Sequence, residues 1–330
     1  MTDDAPLRIG TRGSPLALTQ TNHVIEALKE SHPLLKAKNA VELVVIKTTG
    51  DRIQSELLSD LGGKGLFTKE LDSAMLENRI DIAIHSMKDM PTLLPDGISL
   101  HAIMPREDVR DAFISLKAAN LDALPKGSRV GTASLRRKAQ LLNLRPDLQV
   151  VPFRGNVDTR LKKLEAGEVD ATFLAYAGLR RLGKEGAVTS LMETDQMLPA
   201  VGQGSLAATC RTDDSRANAL LAALAEPVNT AAVIAERAML TVLDGSCHTP
   251  IAGLAQPDGQ GNLVLQGMIA RPDGAEKADV TSKTPITEAE HLGKTVAEDL
   301  LRKAGPSILG AIRQEQPHFI PVHPDMKQET

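Results

Sequence analysis

Arginines and hydroxyl side chains recur where short apolar runs hand over to helical segments. Thr11-Arg12-Gly13-Ser14 follows one such run, Thr132-Ala133-Ser134-Leu135-Arg136-Arg137 a second, and Phe153-Arg154-Gly155-Asn156 a third, with Arg160 about one turn into the next helix. Open parallel sheets bind ligands outside the carboxyl ends of their strands. The planar guanidinium fork suits carboxylates and phosphates bidentately. Any one junction could be an ordinary helix start, but three that bear arginine point together to a multiply anionic ligand. Ser134 is placed to cap a helix whose first amides would hold an anion.

A different chemistry is suggested where Ile80-Asp81-Ile82-Ala83-Ile84 runs into His85-Ser86-Met87-Lys88-Asp89-Met90-Pro91. A carboxylate beside an ammonium at a strand's carboxyl end can hold a proton or stabilise a developing cation. The same pair on a surface would contribute little. Cys247 lies in Leu243-Asp244-Gly245-Ser246-Cys247-His248-Thr249-Pro250, a loop whose small neighbours would leave a thiol accessible, with His248 to assist its ionisation. The alternative is an inert small hydrophobe, which is also the reading of Cys210. Gly62-Gly63-Lys64-Gly65 lacks the Walker spacing, and Gly202-Gln203-Gly204 with Ala207 lacks a following βαβ unit. Both read as turns or flexible loops rather than nucleotide sites.

These groups must be positioned by a chain of 330 residues, long enough for two or three domains. Hydrophobic residues at 42% and charged residues at 24% exclude a disordered chain. With five Phe, one Tyr and no Trp, base stacking on single-stranded nucleic acid is poorly supplied. There is no apolar run long enough to span a bilayer, and the acidic start Met1-Thr2-Asp3-Asp4 does not read as a signal or transit peptide. Two cysteines without a CxxC or His/Cys cluster argue against a disulfide framework and against a metal site, so a cytoplasmic protein is expected. Between Lys126 and Lys163 ten basic residues face only Asp147 and Asp158, a local +8 that leaves −12 on the rest of a chain whose net charge is −4. Such a field inside an acidic protein suits a compact polyanion better than a long nucleic acid.

Strands are expected at 7–11, 41–47, 80–85, 99–103, 129–131, 148–153 and 171–175, with helices at 15–30, 69–77, 135–143 and 157–166 between them. Ser14 as N-cap with Pro15 at the first helical position marks the first helix. The alternation reads as α/β with a largely parallel sheet. From Asp213 the pattern changes to helices at 213–224 and 230–243, strands at 251–255, 263–270 and 278–284, and a helix at 288–303. Turns such as Pro257-Asp258-Gly259 and Arg271-Pro272-Asp273-Gly274 make that last third a small α+β unit with an antiparallel meander. No internal repeat is evident, and the tail from Gln316 reads as a loose terminus.

Taken together and in order, the stretches 8–20, 62–71, 81–91, 106–115, 127–137, 154–164, 174–183, 198–204 and 236–250 resemble the porphobilinogen deaminase (hydroxymethylbilane synthase) family, to about residue 312. The resemblance implies an α/β protein of three domains. Two are periplasmic-binding-protein-like lobes with mixed, mainly parallel sheets, at 1–104 with 201–222 and at 105–200. The third, at 223–316, is a small α+β domain with an antiparallel sheet, followed by a flexible tail at 317–330. It implies a transferase that polymerises four porphobilinogen molecules head to tail, with loss of ammonia, into hydroxymethylbilane for tetrapyrrole and haem biosynthesis. The primer would be a dipyrromethane cofactor joined by a thioether to Cys247. Asp89 would be the catalytic group, protonating the departing amine, stabilising the azafulvenium cation and later aiding deprotonation. Ser86, Lys88, Thr132, Ser134, Arg136, Arg137, Arg154 and Arg160 would bind the cofactor, and Arg12, Ser14 and Arg181 the substrate. A monomer is implied, with the small molecule porphobilinogen as its partner and neither nucleic acid nor membrane. The lobes would shift to accommodate the growing chain.

Two positions depart from the family's pattern: Asp60 stands where some members carry lysine, and Ser246 replaces a glycine often found before the cysteine. The rival readings are a two-lobed anion-binding protein without catalysis and a nucleic-acid-binding regulator using the +8 stretch. The first is opposed by the absence of an export signal and by Cys247 in its matching loop. The second is opposed by the acidic remainder and the scarcity of aromatics.

Overall fold

The computed structural model describes residues 5–49, 68–244, 249–316, 319 and 321. The chain divides into two compact units, Met1–Glu107 with Gly204–Thr230, and Asp108–Gln203 with Ala231–Thr330.

In the first unit, β1 (Leu7–Arg12), β2 (Val41–Ile46), β3 (Ile82–Ser86), β4 (Ile98–Ile103) and β10 (Leu206–Arg211) form one sheet in the order β2-β1-β3-β10-β4. β1 runs parallel to β2 and β3, and β10 is antiparallel to both β3 and β4. Four strands therefore point one way and β10 the other. Helix α1 (Pro15–Ser31) begins where Ser14 Oγ accepts the Ala17 amide, with Pro15 pre-setting the first turn. Its buried residues Gln20, Thr21, Val24, Ile25 and Leu28 recur at the helical period and face the sheet core of Leu7, Ile9, Ile82 and Ile84. Helix α2 (Lys69–Leu76) precedes β3.

The second unit holds β5 (Asp111–Ser115), β6 (Arg129–Gly131), β7 (Gln149–Val151), β8 (Ala171–Ala175) and β9 (Ser190–Met192) in the order β7-β6-β8-β5-β9. Here β6 is parallel to β7 and β8, while β5 is antiparallel to β8 and β9. Helices α3 (Leu135–Leu144), α4 (Val157–Glu165) and α5 (Tyr176–Arg181) follow β6, β7 and β8.

The two sheets repeat one another, contrary to the expectation of no internal repeat. Arg8-Ile9-Gly10-Thr11 in β1 matches Arg129-Val130-Gly131-Thr132 along and just beyond β6. The Arg8 amide donates to Asp81 Oδ2 at 2.8 Å, and the Arg129 amide to Asp170 Oδ2 at 2.7 Å. In each case the aspartate's own amide returns a bond to the arginine carbonyl. The repeat is one of strand order and a few anchoring residues, without a fixed period in the sequence, so periodicity could not reveal it. In each sheet the reversed strand, β10 or β5, is the first one formed after the chain crosses from the other unit.

The rest of the second unit contains α7 (Pro227–Val242, which begins in the first), the antiparallel sheet β11-β12-β13 (Ile251–Pro257, Asn262–Ala270, Lys277–Pro285) and α8 (Ala289–Glu315). Met239, Leu263, Leu265, Ile269, Leu292, Val296 and Leu300 fill their common core. The buried Glu236 carboxylate accepts the Gly202 amide at 2.6 Å and the Ala255 amide at 2.9 Å. Helix α8 runs past the expected end at 303. It is broken at Gly305 (φ 59°, ψ −175°), just before Pro306, and resumes. Of the tail expected to be loose from Gln316, Phe319 is described and is buried in this core. Helix α6 (Ser215–Ala222) packs in the first unit, capped by Asp214. Among the described residues no single helix is long and apolar enough to cross a membrane.

The strands expected at 80–85 and 148–153 occupy Ile82–Ser86 and Gln149–Val151. Strands β5, β9 and β10 and helix α5 were not foreseen. Gly202-Gln203-Gly204 forms a tight turn, with φ of 72° at Gly202 and 91° at Gly204. A Cβ on Gly204 would lie 2.4 Å from the Glu107 carbonyl oxygen, a backbone atom that cannot swing aside. Gly204→Ala should therefore destabilise the protein by ~2 kcal/mol or more, since both strain and a clash oppose it. An unchanged denaturant midpoint would contradict this account of the turn.

Candidate active site

In the first unit the parallel register Gly10↔Ala83 sets the ends of β1 and β3 on one edge of the sheet. Arg12 closes β1, Ser14 caps α1, and Ser86 closes β3. The chain then turns through a short 3-10 segment, Met87–Asp89, pinned where the Met87 amide donates to the Ser205 carbonyl at 3.0 Å. Lys88 and Asp89 are half-buried there, beside the expected restriction from Pro91. Ser86 exchanges hydrogen bonds with the Gln20 side chain, the Gln20 amide donating at 3.0 Å. Gln20 went unnoticed in the sequence, although it lies on the buried face of α1 six residues after Ser14.

Directly behind this edge His85 is buried and hydrogen-bonded to Thr209 Oγ1 at 3.2 Å. Burial, aided by the charge of Arg12, lowers its pKa from 6.5 to about 4, so the native ring is neutral.

The second unit gathers its arginines on the equivalent edge. Thr132 follows β6 and accepts the Ser134 amide at 3.2 Å, while Ser134 Oγ caps α3 through the Arg137 amide at 3.4 Å. Both serine caps expected from the sequence are thus present. Arg154 follows β7, and Asn156 caps α4. Arg160 donates from Nε to the Gly155 carbonyl at 2.8 Å, and Arg181 ends α5. These three arginines are half-buried.

Arg136 and Arg137 are placed differently, with side chains only 5% and 7% exposed. Arg136 donates to Asp111 Oδ2 at 2.8 Å and to the Leu198 carbonyl at 2.6 Å. Arg137 donates to Asp111 Oδ1 at 2.7 Å and to the Phe173 carbonyl at 2.9 Å. Gln203 Nε2 donates to the same Oδ1 at 2.9 Å. Burial alone would raise the Asp111 pKa, but the two guanidiniums outweigh it and hold the carboxylate well below its usual range. Asp111 was missed: a single acid opening the apolar run Ala112-Phe113-Ile114 is the signal that could have found it.

The basic stretch is therefore partly answered by acids, Arg145 by Asp147 at 2.7 Å and Arg136 and Arg137 by Asp111. Cys210 is buried, and burial with the charge of Asp214 pushes its thiol up to about 12, which makes it inert. Cys247, Ser246 and His248, Asp60, the loop 62–65 and most of the tail 317–330 lie outside the described residues. Among the described residues, no group of three or more His, Cys, Asp or Glu could hold a metal ion.

Residues 7–219 match the family model described as porphobilinogen deaminase, dipyrromethane cofactor binding domain, and residues 230–302 match that family's C-terminal domain. The chain belongs to the porphobilinogen deaminase family. It is 51% identical over 310 residues to the chloroplastic porphobilinogen deaminase of Pisum sativum, covering 93% of this chain and 84% of that protein. It is 52% identical over 299 residues to porphobilinogen deaminase of Paracoccus denitrificans, covering 91% of this chain and 95% of that one. Among solved structures, it is similar to the VFT2 domain of Bordetella pertussis BvgS, with a TM-score of 0.40 and 14% identity over 67% of this chain and 87% of that one. The family's cofactor, a dipyrromethane, belongs to residues 7–219, which include both arginine-bearing edges.

The buried His85 has a pH signature. The unfolded histidine binds a proton near pH 6.5, whereas the native one resists it down to about 4. Its contribution is complete above pH 6.5 and is lost as pH falls towards 4, at roughly 1.4 kcal/mol per unit. His85→Gln should be less stable than the parent at pH 7, with the difference narrowing steadily through that window. Denaturant midpoints that ran parallel from pH 7 to 4 would contradict the neutral, desolvated ring.

Proposed function

We propose that this chain joins four porphobilinogen molecules head to tail into hydroxymethylbilane, releasing ammonia at each step, from a dipyrromethane primer held by a thioether to Cys247. Membership of the family over 7–219 and 230–302 supports the reaction class. The observation that carries the assignment to particular groups is the turn Met87–Asp89 at the carboxyl edge of the first sheet. When bound, the dipyrromethane supplies the pyrrole carbon to which the first substrate is added.

Porphobilinogen bears an acetate and a propionate, so each addition brings two more carboxylates. Arg12, Ser14, Ser86 and Lys88 from the first unit, with Thr132, Ser134, Arg136, Arg137, Arg154, Arg160 and Arg181 from the second, are the donors that would receive them. The donor set fits a polycarboxylate. Two buried guanidiniums share one aspartate, and their Nε atoms are buried without a hydrogen-bond partner among the described residues. A net positive charge in such a place calls for an anion.

Asp89 acts on the opposite charge. When the aminomethyl carbon of porphobilinogen loses ammonia it is left cationic, and a fixed carboxylate lowers the energy of that cation where a lysine would raise it. The same group accepts a pyrrole N–H bond, passes a proton to the leaving amine, and takes up the proton that the new carbon–carbon bond expels.

We assign the residues to three domains, 1–104 with 201–222, 105–200 and 223–316, each built round one of the three sheets, with 317–330 as a tail. We also take the protein to be a cytoplasmic monomer serving haem synthesis, with no nucleic-acid or membrane partner.

Asp89→Asn should lower turnover by about 10²–10⁴-fold, the usual contribution of a positioned acid–base group, while intact mass still reports the dipyrromethane. Retained turnover would remove Asp89 from the chemistry. Cys247→Ser should lack that added mass altogether, and a peptide map finding the group elsewhere would move the attachment.

A further inference from the structure

Two arginines answered by a single carboxylate raise a question that the reaction alone does not settle: what fixes their orientation. Each guanidinium has five N–H donors. Arg136 spends one on Asp111 and one on the Leu198 carbonyl, and Arg137 one on Asp111 and one on the Phe173 carbonyl. The Nε of each is buried without a partner among the described residues. A buried arginine that is half-satisfied costs stability unless something else gains from it.

The topology explains how one acid reaches both. Strand β5 is the reversed strand of its sheet, and its first residue Asp111 pairs with Ala175, the last of β8. A carboxylate at the start of β5 therefore sits at the carboxyl ends of the parallel strands, where α3 begins with Arg136 and Arg137 in its first turn. Arg136 binds one carboxylate oxygen and Arg137 the other, so neither fork can rotate without breaking the shared clamp. Gln203 fixes the clamp in turn, its amide bridging Asp111 Oδ1 at 2.9 Å and the Val109 carbonyl at 2.7 Å.

We propose that Asp111 is a positioning residue for dipyrromethane binding: by holding one terminal nitrogen of each guanidinium it orients Arg136 and Arg137, so that their unspent N–H groups and the surplus positive charge receive the cofactor's carboxylates. This rests on the family reading above. A purely structural ion pair would also stabilise the fold, so the test must separate the two roles. The charge-only alternative makes the opposite prediction: without Asp111 the site is more positive and should hold a polyanion more strongly.

The measurement is the gap in melting temperature between the cofactor-free and cofactor-loaded forms of one protein, each form verified by intact mass. In Asp111→Asn, similar in shape but uncharged, both forms should melt lower, and the gap should shrink to less than half that of the parent. The fraction of protein isolated with the cofactor should fall with it. An unchanged gap would make Asp111 a structural residue only, and a wider gap would favour the charge-only account; either overturns the proposal. Should Asp111→Asn not fold, Gln203→Met, which removes one N–H from the clamp and leaves the charges in place, decides the matter. A smaller gap supports positioning, and an unchanged one refutes it. The parent protein is the control for the function itself. If it acquires no dipyrromethane from porphobilinogen, the family reading fails; if it does and the variants keep its gap, only the role of Asp111 fails.

Discussion

A guanidinium can be buried only against acceptors, and in this protein that requirement organises the arginine-rich edge of the second unit. Arg136 and Arg137 stand side by side at the start of α3 and both reach inward. Carbonyls of Leu198 and Phe173 take one donor each, and Asp111 takes one from both. The position of one carboxylate thereby ties together the start of β5, the end of β8, the first turn of α3 and the segment before the Gly202–Gly204 turn. Pairing two cations with one anion leaves an imbalance that water cannot easily relieve. A fold seeking stability alone would do better with apolar packing there, which is the ground for the positioning role proposed for Asp111.

The same architecture appears in both units. Each sheet has three parallel strands at one side, a reversed strand, and a fifth strand beyond it. The parallel strands deliver hydroxyls and arginines to their carboxyl ends, where helix starts add oriented amides. Between them the units differ in what the edge carries. The first presents Lys88 and Asp89 on a short turn behind which lies a neutral histidine, whereas the second presents arginines. Charge of both signs is thus divided by unit, with the Lys88–Asp89 turn on one scaffold and most of the edge arginines on the other.

Much of this was legible beforehand because the signals are local. Ser14-Pro15 and Ser134 mark helix starts by their own hydrogen-bonding chemistry, and the three arginine-bearing junctions follow from strand–helix alternation. What escaped depends on distant partners. Strand β10, Leu206–Arg211, is wholly buried and rich in small residues, so it shows no alternation to read. Strand β5 opens with an aspartate, a residue that argues against a strand until the two arginines that neutralise it are in place. Gln20 and Gln203 look like any polar residue in the sequence, and only the carbonyl, hydroxyl or carboxylate opposite each gives it a role. The likeness between the two sheets was hidden for a related reason: strand order is a property of pairing, and it leaves few marks on the residues themselves.

The reversed strand has a consequence for the way the chain is made. β10 lies between β3 and β4 and is what joins β4 to the first sheet, yet it is followed in the sequence by little more than a third of the protein. A nascent chain emerging from the ribosome exposes β1 to β4 long before β10 exists, so β3 waits with one edge unpaired and β4 without its partner strand. The second sheet has no such delay, since all five of its strands lie between Asp111 and Met192. The later-encoded sheet is thus free to close first, and the earlier one is completed by a strand that arrives after it. The edges of β3 and β4 are where a chaperone would be most needed during synthesis.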